Sequence, residues 1–178
     1  MQTRSFDERD TATIIDLFTR VFAQSDGAAE GEMVGRLAAE MIATTEAQDL
    51  HGFVATEESR IVGAVLFSRL RFDTAIEAFI LSPMAIDTAC QRRGVGSTLI
   101  RHGLDRLRRQ GVELVVTYGD PAYYTRLGFE ALSTQTLPAP FALSQPIGWL
   151  GQALDGGAIA PVAGRCRCVA ALDNPDYW

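Results

Sequence analysis

The stretch Gln91-Arg92-Arg93-Gly94-Val95-Gly96-Ser97-Thr98 decides how this chain reads. It follows an apolar run, 78–86, and opens an amphipathic segment that reads as a helix through Gln110. A strand, a basic glycine turn and a helix in that order suit a phosphorylated ligand. The turn exposes backbone N–H groups, the helix start adds partial positive charge, and the glycines let a ligand approach the main chain. Two other phosphate loops do not fit. No Gly-Lys-Ser/Thr is present, and Leu99 stands where a dinucleotide fingerprint wants its third glycine.

Upstream, 75–86 reads as one strand with Pro83 inside it. Proline cannot donate to a ladder, so Pro83 marks a bulge or a parting of neighbouring strands, with an edge strand as the plainer alternative. Residues 3–6 suit a first strand. Asp7 or Asp10 then supplies an N-cap for a helix whose apolar face is Ile14, Ile15, Leu17, Phe18, Val21 and Phe22. Residues 25–31 read as a connection to a second helix carrying Met33, Val34, Leu37, Met41 and Ile42. The runs 50–56 and 60–72, joined by Glu57-Glu58-Ser59, read as an antiparallel hairpin.

Downstream, Leu99, Ile100, Gly103, Leu104 and Leu107 form the inner stripe of the helix, which Gly111 stops. Residues 112–117 are β-rich. Asp120 suits an N-cap and Pro121 a first helical residue, for a short helix 121–127 that ends at Gly128. Phe129 begins another strand. Prolines 138, 140, 146 and 161, with glycines 148, 151, 156, 157 and 164, suggest irregular structure interrupted by short elements over 132–164. Residues 165–172 read as a closing strand and 173–178 as a tail.

The bulk properties exclude several classes. A chain of 178 residues with 47% apolar and 21% charged residues has the balance of one globular domain. Its net charge of −6 argues against general nucleic-acid binding. Every basic residue is arginine, so the protein has no lysine side chain of its own to acetylate. No apolar run is long enough to span a membrane, and 1–7 hold no signal-peptide core, which leads us to expect a cytoplasmic protein. Three cysteines make no disulfide framework, and Cys166 and Cys168 lack a second ligand pair for zinc.

Two motifs in order resemble the GNAT superfamily of acyl-CoA-dependent N-acetyltransferases. The first is Leu81-Ser82-Pro83-Met84-Ala85-Ile86 followed by Gln91-Arg92-Arg93-Gly94-Val95-Gly96. It is similar to the family's Gln/Arg-x-x-Gly-x-Gly/Ala loop, which cradles the pyrophosphate of coenzyme A. The second, Tyr124-Thr125-Arg126-Leu127-Gly128-Phe129, is similar to the family's Tyr-x-x-x-Gly-Phe. Gly119-Asp120-Pro121-Ala122-Tyr123-Tyr124 looks like a subgroup of bacterial predicted N-acetyltransferases. The likeness spans 3–132. It implies an α/β (α+β) fold with a mixed, mostly antiparallel twisted sheet flanked by helices. The expected organisation is a single domain, 1–178, with a motif-bearing core, 3–132, and a less regular part, 133–178.

The resemblance also implies a chemistry. The main chain of Met84, Ala85 and Ile86 holds the acyl carbonyl and pantetheine arm where the sheet parts, an oxyanion-hole device. Gln91, Arg92, Arg93, Gly94, Val95, Gly96, Ser97 and Thr98 hold the pyrophosphate, with the Arg92 and Arg93 side chains adding charge toward the 3′-phosphate. Tyr124 matches the family tyrosine that protonates the departing thiolate; a phenol of pKa about 10 can serve as that donor. A core or capping role is its plainer reading. Arg126 is a further coenzyme contact. For the general base, Glu77 on the long strand is the first candidate. Asp73, Asp87 and a water relay stay open, and surface charge explains each acid as well. His51 and His102 read as structural.

The expected reaction is direct transfer from acetyl-CoA to a small-molecule or peptide amine, without a metal. Cys90 lacks a nearby histidine, so no covalent enzyme intermediate is expected. A second copy of the chain is an open option as partner. A non-catalytic acyl-CoA-binding module and a misread nucleotide-binding fold remain as alternatives.

Overall fold

The computed structural model describes residues 1–178. In chain order its elements begin with β1 (Gln2–Ser5), α1 (Thr11–Asp26), α2 (Ala28–Thr44), β2 (Leu50–Glu57), β3 (Arg60–Phe72) and β4 (Ala78–Ile86). There follow α3 (Val95–Arg109), β5 (Leu114–Tyr118), α4 (Pro121–Tyr124), β6 (Glu130–Ala131), β7 (Trp149–Ala153) and β8 (Cys166–Arg167). The strands form an eight-stranded sheet in the order β1-β2-β3-β4-β5-β7-β6, with β8 paired to β3. It is mixed. β1 and β2, β5 and β7, β6 and β7, and β3 and β8 pair antiparallel, whereas β4 and β5 run parallel.

The chain divides into two compact units. The first comprises Met1–Phe67 and Pro83–Gly103, the second Ser68–Ser82 and Leu104–Trp178, so β3, β4 and α3 each contribute to both.

In the first unit, the two candidate caps serve a short 3-10 turn, Glu8–Asp10, whereas Asp10, at the N-cap position of α1, makes no side-chain cap bond to that helix. Asp7 accepts the Arg9 N–H at 2.8 Å while Asp10 accepts the Asp7 N–H at 2.9 Å, a reciprocal capping box on a short 3-10 turn that leads into α1. Helix α1 buries Ile14, Leu17, Phe18 and Val21, and α2 buries Val34, Leu37, Ala38 and Met41. The expected connection at 25–31 shrinks to Gly27 alone, because helix resumes at Ala28. These faces join a core of Phe53, Val54, Val62, Val65, Phe67, Leu99 and Ile100, with the His102 ring edge-on to Phe53 at 5.3 Å.

In the second unit, β7 is one of the short elements expected within 132–164, and two other expectations need correction. Strand β7 pairs with β5 from Leu114↔Ala153 to Tyr118↔Trp149. The closing strand is two residues long, Cys166 and Arg167 opposite Phe72 and Arg71, and residues 170–172 turn as a 3-10 helix. The tail packs: the Trp178 indole N–H donates to the Leu172 carbonyl at 3.1 Å inside the core. Buried Trp149 donates likewise to Leu137 at 3.0 Å.

Pro83 is not on an edge strand. The β4–β5 ladder runs from Ala78↔Leu114 to Leu81↔Thr117 and ends there, two residues before Pro83. A residue without an N–H sits where that ladder has stopped, as the parted-strand reading requires.

Candidate active site

The coenzyme loop candidates fall together in the first unit. Met84 is half-buried and Ala85 and Ile86 are buried near the end of β4. Asp87 turns the chain, its side chain accepting the Ala89 N–H at 3.1 Å. Gln91 returns a hydrogen bond from its side-chain amide to the Ile86 carbonyl at 3.0 Å, tying the loop to the strand end. Arg92 and Gly94 both take left-handed backbone conformations, with φ of 59° and 80°. Such alternation turns successive N–H groups toward one concave side. At Gly94 a side chain would be strained by that φ, although a Cβ there would meet nothing within 4 Å.

Helix α3 starts at Val95, and its first bond back to the loop is Thr98 N–H to Gly94 O at 3.0 Å. The N–H groups of Val95, Gly96 and Ser97 precede that bond and lie at the positive end of the helix dipole. Ser97 is half-buried and Thr98 exposed. The two arginines differ. Arg93 reaches Glu57 at 3.2 Å and Cys90 Sγ at 3.7 Å, whereas Arg92 is exposed to solvent.

Tyr124 lies in the second unit, on α4. Asp120 caps this helix by accepting the Ala122 N–H at 2.9 Å, and Pro121 is its first residue. The half-buried Tyr124 ring is edge-on to Phe129 at 5.6 Å and to Tyr123 at 5.1 Å. Its hydroxyl shares a hydrogen bond with Thr117. Thr117 is 1% exposed, and its own hydroxyl donates to the Leu81 carbonyl at 3.1 Å. Burial pushes the phenol up to about 12, against a smaller opposing effect of the Thr117 bond. The expected value near 10 is therefore exceeded, and Tyr124 stays protonated throughout the neutral range. Arg126 is exposed in the turn that follows.

The carboxylates proposed as bases are all engaged. Glu77 precedes β4 instead of lying on it and is ion-paired with Arg69, whose guanidinium also covers the Phe79 ring at 4.8 Å. In register, Leu114 faces Ala78 and Thr117 faces Leu81. Glu77 thus lies four residues, about 13 Å, along the strand from the carbonyl that Thr117 holds. Asp73 accepts the Arg165 N–H at 2.8 Å and the Arg167 guanidinium at 2.9 Å, which hold it below the usual carboxylate range. Asp87 is buried, 3.7 Å from Arg20 and 3.8 Å from Arg60. No three His, Cys, Asp or Glu side chains gather as a metal site. Sequence reasoning missed Thr117; the signal was a hydroxyl in an otherwise apolar strand, Leu-Val-Val-Thr.

A parted parallel strand pair followed by a glycine loop at a helix start defines an acyltransferase of the GNAT type. Residues 48–131 match the acetyltransferase (GNAT) domain, and the chain belongs to that family. Among its relatives is the uncharacterized N-acetyltransferase YjhQ of Escherichia coli K12, 30% identical over 91% of this chain and 88% of that protein. The solved structure of Escherichia coli YhbS, a GNAT family N-acetyltransferase in complex with CoA, superposes with a TM-score of 0.82. It is 25% identical, over 97% of this chain and 92% of that one. A GNAT family acetyltransferase from Brucella melitensis in complex with acetyl-CoA gives 0.76 at 27% identity, over 97% of each chain.

Proposed function

We propose that this protein transfers the acetyl group of acetyl-CoA directly to a primary amine of a small molecule or peptide. The observation that carries the reading is the backbone of residues 91–98, with two left-handed residues followed by three N–H groups ahead of the first helical bond. The open space over Gly94 accommodates a bulky anion there. Bound at this loop, acetyl-CoA supplies an activated thioester.

The chain's own groups then have separate tasks. The loop amides and the Arg92 side chain neutralise the phosphates. Main-chain N–H groups of residues 84–86, beyond the end of the β4–β5 ladder, polarise the acyl carbonyl. Tyr124 holds a proton at Oη for the sulfur that leaves as the C–N bond forms and the C–S bond breaks. Burial keeps Tyr124 protonated, and desolvation makes a leaving thiolate more basic as well. Arg126 is assigned to the coenzyme from the motif. Because Glu77, Asp73 and Asp87 are engaged elsewhere, deprotonation of the ammonium is assigned to water. No helix is long and apolar enough to cross a membrane, and three unpaired thiols accord with a cytoplasmic setting.

Titration calorimetry of acetyl-CoA into the intact chain, followed by coenzyme A release over an amine panel, tests this reading. Binding with turnover is expected. Binding without turnover on any amine would make the protein an acyl-CoA-binding module, and ATP or NAD binding in place of coenzyme A would overturn the assignment.

A further inference from the structure

The second unit contains a cavity of about 460 Å³ at the C-terminal end of β5, a volume typical of small-molecule sites. Tyr118, Gly119 and Asp120 form one wall; Ser144, Gln145 and Ile147 form another. The walls are braced. The Tyr118 hydroxyl lies 2.9 Å from Ser144 Oγ and accepts the Gln145 N–H at 2.7 Å. Its ring stacks on Trp178 at 6.4 Å, and the Ser144 N–H donates to the Trp178 carbonyl at 3.2 Å.

Position and chemistry point the same way. A Cβ on Gly119 would stand 2.7 Å from Tyr124 Cε2, so the cavity is separated from the Tyr124 ring by one residue's backbone. No arginine lines it, and Asp120 is the one charged residue in its wall. One Asp120 oxygen caps α4, and the negative charge of the carboxylate is felt at Tyr124. Ile147, 73% exposed, is an apolar side chain left in the open at the same cavity.

We infer that this cavity holds the acceptor, and that the acceptor is an amine with an apolar stem and a second cationic group, the cation meeting Asp120 and the stem meeting Ile147. This rests on the acetyl-transfer reading above. A carboxylate at the far end of the stem would face Asp120 with like charge.

The test compares 1,5-diaminopentane with 5-aminopentanoate, probes of one length that differ in the charge of the far end. Coenzyme A release by the intact protein should show kcat/KM about tenfold higher for the diamine, the scale of attraction replaced by repulsion near a surface. Asp120→Asn keeps an oxygen for the helix cap but removes the charge. It should raise KM for the diamine roughly three- to fivefold, the worth of an exposed ion pair, with the acetyl-CoA Kd unchanged. Ile147→Arg places a cation at the exposed side and should act in the same direction without disturbing the core. Equal kcat/KM for the two probes would overturn the inference. So would failure of both probes in a protein that binds acetyl-CoA, and so would variants that change the acetyl-CoA Kd instead of the acceptor KM. A wild-type protein that binds no acetyl-CoA would overturn the underlying reading itself.

Discussion

The loop at 91–98 and the surroundings of Tyr124 are assembled by different means. The loop presents main-chain N–H groups, and all of them lie within eight consecutive residues. The Tyr124 region gathers side chains from 117, 120 and 124, with the nearby cavity adding 144, 145 and 147 and, behind it, 178. A backbone site is specified by local conformation, so its residues must stay contiguous. A side-chain site can be assembled from whatever the sheet brings together, so its residues scatter.

The contrast can be broken most severely at Gly94. Replacing it with Glu imposes a left-handed φ on a residue with a Cβ and sets a carboxylate where phosphate is expected. Acetyl-CoA affinity should fall by about 100-fold or more, close to 3 kcal/mol, by calorimetry, with an unchanged circular dichroism spectrum. If main-chain groups dominate, Arg92→Ala should cost less than about tenfold, the worth of one exposed charge contact. A larger loss in Arg92→Ala than in Gly94→Glu would remove the distinction between the two regions.

Next in size is Tyr124→Phe, which should lower kcat by about 10² to 10³, the range for a positioned proton donor, and leave the acetyl-CoA Kd unchanged. Thr117→Val keeps the shape but removes the partner of the Tyr124 hydroxyl, and kcat should drop about tenfold, consistent with one neutral hydrogen bond. Thr117→Ser should restore it. Equal losses for Ser and Val would mean that packing, not the hydroxyl, matters there.

The smallest effect concerns stability at high pH. Burial raises Tyr124 from 10.0 to about 12, Cys166 from 9.0 to about 12 and Cys168 from 9.0 to about 11. The folded state holds these protons more tightly than the unfolded state, so their contribution is full below pH 9 and is lost as pH rises through those values. Thermal unfolding should show a flat Tm up to about pH 9 and a decline beyond it, set by groups that all belong to the second unit.

The sequence is legible where structure is local. The order of elements from β1 to α4, Pro83 as the mark of a parted pair, and the cap Asp120 follow from spacing and residue type. Strand β7 is hidden because Gly151 interrupts Trp149-Leu150-Gly151-Gln152-Ala153, and its strand character comes from β5 and β6 on either side. The over-long closing strand fails for a related reason. Cys166 and Arg167 find partners on β3, whereas Ala170–Leu172 forms a 3-10 turn instead of extended backbone. The ion pair of Glu77 with Arg69, across the turn between β3 and β4, is hidden for the same reason, because it cannot be read from an apolar pattern. The Thr117–Tyr124 bond likewise joins residues whose meeting depends on how α4 folds back after β5.

The packed tail has a practical consequence. The chain has two tryptophans, Trp149 and Trp178, 0% and 5% exposed and 6.1 Å apart, and both belong to the second unit. Indole fluorescence is therefore a native optical probe of that unit alone. Because Trp178 stacks on Tyr118 at the cavity wall, filling the cavity should shift the emission. An acceptor could then be titrated by light, without a label and without turnover.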